Sequence, residues 1–356
     1  MNQKATKRIL DQSRYIEENR FNLVIDCDTH ISDTEKLTGA IARKYHKFEN
    51  LYQGRPISAE DLITEMDMAY VDMSLSWINP AAIKPSDPKS NFRTMLEANK
   101  YIFEKSVSFY KRIIPAGWTD PVSLKEDYAL EMIRICVEEF GFPIVKFNPA
   151  QNRYNLNSKI VFQMIEYIHS LGAVPAFHMA ADTSYTTTEA LTEIVCSFPE
   201  VPIIAVHMGG GGASYLEAER MYHELRQLGL LYQNIYFIES AKRDIHIESD
   251  IITYALRGEN AWSHIFCGSD APYGRMTWNF GGYRLMFESL IDNRSHTDQR
   301  VRNSKHVFTK ELSSAFLGGN FAKFILQIYD NMKKRYIVNP NDSAIVMRQT
   351  FENIRT

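Results

Sequence analysis

Residues 21–30 read FNLVIDCDTH and residues 264–270 read HIFCGSD. Each is a short apolar run that ends in polar, metal-capable side chains. Six more apolar runs lie between them: VDMSLSW (71–77), RIIPAGW (112–118), FPIVKFN (142–148), AVPAFH (173–178), VPIIAVH (201–207) and NIYFIE (234–239). Most are near-continuously apolar, which is how a strand buried on both faces of a parallel sheet reads. The stretches between them have helical periodicity. LKEDYALEMIRICVEEFG (124–141) has apolar residues at Leu130, Ile133, Ile135 and Val137 and stops at Gly141, and SKIVFQMIEYIHSLG (158–172) stops at Gly172. Eight strands alternating with helices predict parallel βα units, and eight is the number that closes a barrel. An open doubly wound sheet is the alternative, but no GxGxxG follows the first strand. The expected fold is therefore α/β, a single (β/α)8 TIM-type barrel over residues 21–329. Helical extensions are expected at 1–20 and 330–356.

Composition narrows the function classes. With 45% hydrophobic and 23% charged residues, the chain can bury a full core. A net charge of −3, without long runs of one sign, predicts no nucleic-acid groove and no membrane-surface patch. No apolar run approaches the roughly 20 residues of a membrane span, and residues 1–20 lack the apolar core of a secretory signal. A cytoplasmic enzyme with a small-molecule substrate is the expectation. The four cysteines, Cys27, Cys136, Cys196 and Cys267, form no CxxC pair, so no cysteine-based zinc or redox site is indicated.

The polar residues gather at the C-terminal ends of the runs. Asp28 and His30 follow the first, His178 closes the fifth, His207 the sixth, and Asp270 follows the eighth. In a parallel barrel these ends converge on the catalytic rim. Residues two apart on a strand point the same way, so Asp28 and His30 can reach one ion. Imidazole nitrogen with carboxylate oxygen suits zinc, manganese, iron or cobalt. A lone D-x-H, or a lone histidine at a strand end, is more often hydrogen-bonded core. The signal is the joint placement. Other residues at the same rim are candidates for substrate contact: Lys146, Trp77, Asn148, Tyr273, Arg275 and Glu239. Trp77 and Tyr273 would offer stacking walls, and Arg275 a clamp for a carboxylate. The glycines at 209–212 lack the ending of a phosphate loop and are expected to let the backbone pass close beneath the site. The long connection at 31–62 is expected to form part of a lid.

Beyond these local readings, the stretches IDCDTHIS, EMDMAYVD, VKFNP, AFHMA, VHMGGG, CGSDAPYG and LGGNFAKF resemble the amidohydrolase superfamily. The likeness is to its amidohydrolase-related branch, which includes aminocarboxymuconate-semialdehyde decarboxylase. The resemblance runs from about Ile25 to about Phe324 and is most specific over residues 268–272. It implies one divalent ion, zinc or alternatively manganese, held by Asp28, His30, His178 and Asp270. It also implies a proton-carrying role for Asp270 and a substrate-polarising role for His207, and it suggests a homodimer. A second ion is implied only if Lys146 is carboxylated, as at the equivalent strand of some superfamily members. The other readings of Lys146 are a cation for an anionic substrate and a lysine whose stem packs in the barrel. Three departures stand out. Asp28 replaces the first histidine of the common H-x-H, Tyr70 stands where glycine is usual, and His264 stands where arginine is common.

Two reactions suit this set. In the leading reading, a hydrolase of a lactone, amide or cyclic acid, Asp270 takes a proton from metal-activated water and His207 stabilises the oxyanion. The alternative is a non-oxidative decarboxylase of an aromatic or heterocyclic acid, in which Asp270 protonates the ring carbon. A metabolite-binding barrel without catalysis is the third reading, and it leaves the ligand set unexplained.

Overall fold

All eight apolar runs become barrel staves, because each carries enough apolar side chains to be buried from both sides. The computed structural model describes residues 1–37, 54–79, 86–181, 183–211, 219–292, 296–304 and 306–338. The middle of the expected lid, Gly212 and residues 339–356 lie outside them. The strands are β1 (Ile25–Ile31), β2 (Met73–Ile78), β3 (Ile113–Pro115), β4 (Gly117–Trp118), β5 (Ile144–Phe147), β6 (Val174–Ala180), β7 (Ile203–Gly209), β8 (Ile235–Glu239) and β9 (Ile265–Cys267). All pair in parallel, in the order β1-β2-β3 and then β4 to β9. β3 and β4 are two halves of one stave, parted at Ala116, whose N–H still donates to Ser76 O at 2.9 Å. The ring closes beyond β9, where the His30 N–H donates to Ala271 O at 2.7 Å and Thr29 bridges to Ala271.

One helix seals the N-terminal end of the barrel. Gln3–Asn19 buries Ala5, Ile9 and Ile16, each isoleucine contributing about 2 kcal/mol by leaving water. Its polar residues are equally committed. Arg8 Nη2 donates to Gly141 O at 2.5 Å and Gln12 Nε2 to Ile113 O at 2.6 Å, next to the starts of β5 and β3. Tyr329 Oη donates to Gln12 Oε1 at 2.7 Å. Tyr329 lies on the helix Asn320–Lys333, so the boundary expected at 330 falls inside a helix. That helix continues because Ile325, Ile328, Tyr329 and Met332 share its buried face.

Two details correct a plain strand reading. β1 slips register between Asp26 and Thr29, which inserts one extra residue opposite β2. β6 and β7 slip between His178 and Ala180, where β7 carries the extra residue. Bulges of this kind re-aim side chains at barrel rims. Tyr70 caps the helix Ala59–Ala69 at φ 53°. A left-handed cap is the conformation glycine adopts most easily, which is why glycine is usual there; Tyr70 holds the same conformation with a side chain.

Candidate active site

The site is built on backbone that ordinary residues avoid. His207 has φ 76°, Met208 φ 44° and Asp270 φ 57°. Left-handed conformations at non-glycine residues cost roughly 1–3 kcal/mol each and persist only where their surroundings enforce them. Gly210 follows the β7 bulge, and a Cβ there would lie 2.6 Å from Ala241 O. The expected close backbone passage under the site is therefore present at Gly210.

Asp28 is the hub. It is fully buried, and both of its oxygens are engaged. Oδ1 accepts from Trp77 Nε1 at 3.0 Å and from Lys146 Nζ at 3.2 Å. Oδ2 accepts from Ser240 Oγ at 2.7 Å and lies 3.4 Å from His207 Nδ1. Burial alone would raise the Asp28 carboxyl, but Lys146, His207 and His30 outweigh it and hold it well below the usual carboxylate range. The Lys146 ammonium lies 4.0 Å from the Trp77 ring centroid and 5.8 Å from that of Trp118. Burial lowers its pKa, and Asp28 and Asp270 oppose that shift. These contacts suit an ammonium.

His30 shows how an ion would fit. Its Nδ1 lies 2.7 Å from the carbonyl of Ile78, which can only accept, so Nδ1 carries a proton. Nε2 then lies 3.5 Å from Asp270 Oδ1 and 3.8 Å from Asp28 Oδ1. In the neutral ring, a lone pair faces two carboxylate oxygens, an arrangement that a shared cation between them makes favourable. Asp28, His207 and Asp270 also bring one ligand atom each within 4.8 Å of one another, and they are the one such group among the described residues. The donor set therefore fits a divalent ion. Burial and Asp28 raise the Asp270 carboxyl, opposed by His30 and Lys146.

A cavity of about 280 Å³ opens over this cluster. His30, Lys146, His178, His207 and Asp270 line it, together with Asn148 and Tyr273. The His178 and His207 rings meet edge to face at 4.7 Å, and the Tyr273 ring stands edge-on to His30 at 5.5 Å. Tyr273 Oη donates to Asn79 Oδ1 at 2.9 Å, and burial followed by Asp270 pushes its pKa up.

Three expected substrate contacts do not line this cavity. Trp77 is fully buried, with its indole N–H spent on Asp28. Glu239 is fully buried in an ionic cluster with Lys242, 3.4 Å away, and Asp250, which also pairs with Arg226. Arg275 sits over the Trp278 ring at 4.9 Å and faces Glu65. Asp26, Ser240 and Gln151 were missed. Asp26 ties β1 to the stretch after β9: its Oδ1 accepts the Asp28 N–H at 3.0 Å and the Ser269 N–H at 2.9 Å, and its Oδ2 accepts from Ser269 Oγ. Burial pushes its carboxyl up to about 8, although those hydrogen bonds pull it down. The D-x-D spacing at 26–28 was the available signal for Asp26. Gln151 also lines the cavity, from the short helix Pro149–Asn152. Neither Gln151 nor Ser240 stands in a recognisable pattern.

A TIM-type barrel with imidazoles and carboxylates converging at its C-terminal rim defines a class, the metal-dependent barrel enzymes. The chain belongs to the Amidohydrolase family, whose model matches residues 25–287. A comparison with curated proteins finds no match. Among solved structures, the chain is similar to 5-carboxyvanillate decarboxylase from Novosphingobium aromaticivorans, complexed with manganese and 4-hydroxy-3-methoxy-5-nitrobenzoic acid. The TM-score is 0.59 at 13% identity, covering 86% of this chain and 96% of that one. It is also similar to 2,6-dihydroxybenzoate decarboxylase from Rhizobium, with TM-score 0.55, 13% identity and coverage of 80% and 98%. A probable 2-pyrone-4,6-dicarboxylic acid hydrolase from Acinetobacter baumannii gives 0.53, 13%, 85% and 98%. At such identities the likeness shows a shared fold.

Proposed function

We propose that this protein is a metal-dependent, non-oxidative decarboxylase of an aromatic or heterocyclic carboxylic acid. The observation that carries this reading is Lys146, a buried cation presented to a small cavity walled by imidazole and phenol. A site of this kind suits a compact planar anion. Two of the similar solved structures are decarboxylases of aromatic acids, which supports the same reading.

By the family resemblance Asp28, His30, His178 and Asp270 would hold a divalent ion, manganese or zinc, with His207 beside Asp28 and Asp270 as a further donor. When bound, the ion supplies Lewis acidity toward a substrate carboxylate and an adjacent oxygen. Lys146 binds and orients the anion. Tyr273 bounds the cavity at the His30 side. Asp270 holds a proton at its carboxyl and delivers it to the ring carbon, where a C–H bond forms as the C–C bond to the departing carbon dioxide breaks. The test is incubation of the metal-loaded protein with a panel of hydroxylated benzoates and heterocyclic acids, with carbon dioxide release as the readout.

Hydrolysis is the second reading, favoured by the likeness to a probable pyrone dicarboxylic acid hydrolase. There Asp270 accepts a proton from water and His207 faces the oxyanion. Ring opening of lactones without carbon dioxide release would establish it over decarboxylation.

A further inference from the structure

Ser240 lies one residue beyond β8 and, although no sequence pattern marks it, touches two residues of the site. Its Oγ donates to Asp28 Oδ2 at 2.7 Å and lies 2.8 Å from His207 Nδ1. It is fully buried. We propose that Ser240 is a positioning residue that fixes the tautomer of His207, an inference that rests on reading this cavity as the active site.

A serine hydroxyl has a single proton and two lone pairs. An ionised carboxylate only accepts, so the Ser240 proton goes to Asp28. The contact between Ser240 and His207 therefore needs a proton on Nδ1. The count puts a proton on Nδ1, and in the neutral ring Nε2 then keeps its lone pair. Because Nδ1 is tied to Ser240 and His207 lines the cavity, Nε2 is the nitrogen left to meet a ligand. His30 arrives at the same tautomer by a different device, the carbonyl of Ile78. Both rings thus present acceptor nitrogens, which suits cation binding or proton uptake. In this state neutral His207 has no proton on Nε2 to give a developing oxyanion, which counts against the role assigned to it in hydrolysis. The chain Asp28–Ser240–His207 also couples the left-handed turn at residue 207 to β1 across the barrel.

The test is long-range proton–nitrogen NMR of the ¹⁵N-labelled full chain without added metal, so it does not depend on turnover. The His207 signals are identified by their loss in His207→Gln. The expected wild-type result is a protonated Nδ1 and an unprotonated Nε2. Ser240→Thr, which keeps the hydroxyl, should preserve that pattern, and Ser240→Ala should give a mixture of tautomers. Manganese titration should show the alanine variant about 10- to 100-fold weaker in affinity, the usual effect of losing an outer partner of a ligand, with threonine restoring most of it. A wild-type His207 protonated on Nε2, or an unchanged pattern in a folded Ser240→Ala, would overturn the proposal. If the alanine variant does not fold, the wild-type and threonine spectra still decide it. Failure to find a substrate would count against the decarboxylase reading and leave the tautomer result standing.

Discussion

Glu65 offers a quantitative test that is separate from the metal site. It lies on the helix Ala59–Ala69 and is 0% exposed. Its Oε1 accepts the N–H of Met276 at 3.0 Å, at the start of the helix Met276–Ile291 that follows the Asp270 loop, and its Oε2 has no hydrogen-bond partner among the described residues. Burial, only partly offset by the Met276 N–H and by Arg275, pushes its carboxyl up from 4.5 to about 7. A folded-state pKa raised above the unfolded value means that the folded chain binds the proton more tightly. The favourable contribution is complete below pH 4.5 and is lost as pH rises through 7. Integrating between the two states, the buried charge costs about 3.4 kcal/mol at pH 8.5 but only about 0.8 kcal/mol at pH 5. Glu65→Gln keeps an acceptor for Met276 and cannot ionise. Relative to wild type, the variant should therefore gain about 2.5 kcal/mol between pH 5 and pH 8.5. For 356 residues, with an unfolding entropy of about 0.75 kcal/mol/K, that is about 3 °C in melting temperature. The assay is thermal unfolding of both proteins side by side at the two pH values, so that other titrating groups cancel. A melting-temperature difference that does not change with pH would refute the assignment of a buried, ionisable Glu65.

Four further outcomes are expected. Asp270→Asn should abolish turnover while leaving the melting curve intact, and wild-type-like carbon dioxide release by that variant would remove Asp270 from its role as proton carrier. Elemental analysis should find about one divalent ion per chain, falling in Asp28→Asn and His30→Ala, whereas two per chain would indicate a carboxylated Lys146. Lys146→Gln should raise KM for carboxylate substrates by about tenfold, equivalent to about 1.4 kcal/mol of lost binding, and an unchanged KM would remove Lys146 from anion binding. Gly268→Ala should weaken metal binding, because a Cβ there would lie 2.8 Å from Asp28 Cβ and 2.9 Å from Ile238 Cγ2, and equal manganese titrations of the two proteins would contradict that.

Much of the fold was legible because burial on both faces writes a parallel strand as an apolar run, and every such run proved to be a stave. The rim position of Asp28, His30, Lys146, His178, His207 and Asp270 followed from where those runs end. Strand register was less legible. The bulges in β1 and β7 depend on pairing with neighbours, and no periodicity within a single strand records an extra residue. The sequence placed Trp77, Glu239 and Arg275 near the correct rim, yet could not say which layer each occupies. Trp77 is drawn to Asp28 on a different strand, and Glu239 is held by Lys242, three residues on, in a cluster that reaches Asp250 and Arg226.

The sequence by itself determined the barrel, the family and the set of metal-capable residues, since these depend on local apolar patterning and on side-chain identity. Only the tertiary structure decided the wiring among them. Asp28 and Ser240 lie 212 positions apart, and Asp28 and Lys146 lie 118 apart. Their hydrogen bonds exist because a closed ring of staves brings distant strand ends within a few ångströms, and hydrogen bonding is a matter of distance and direction that residue order does not encode.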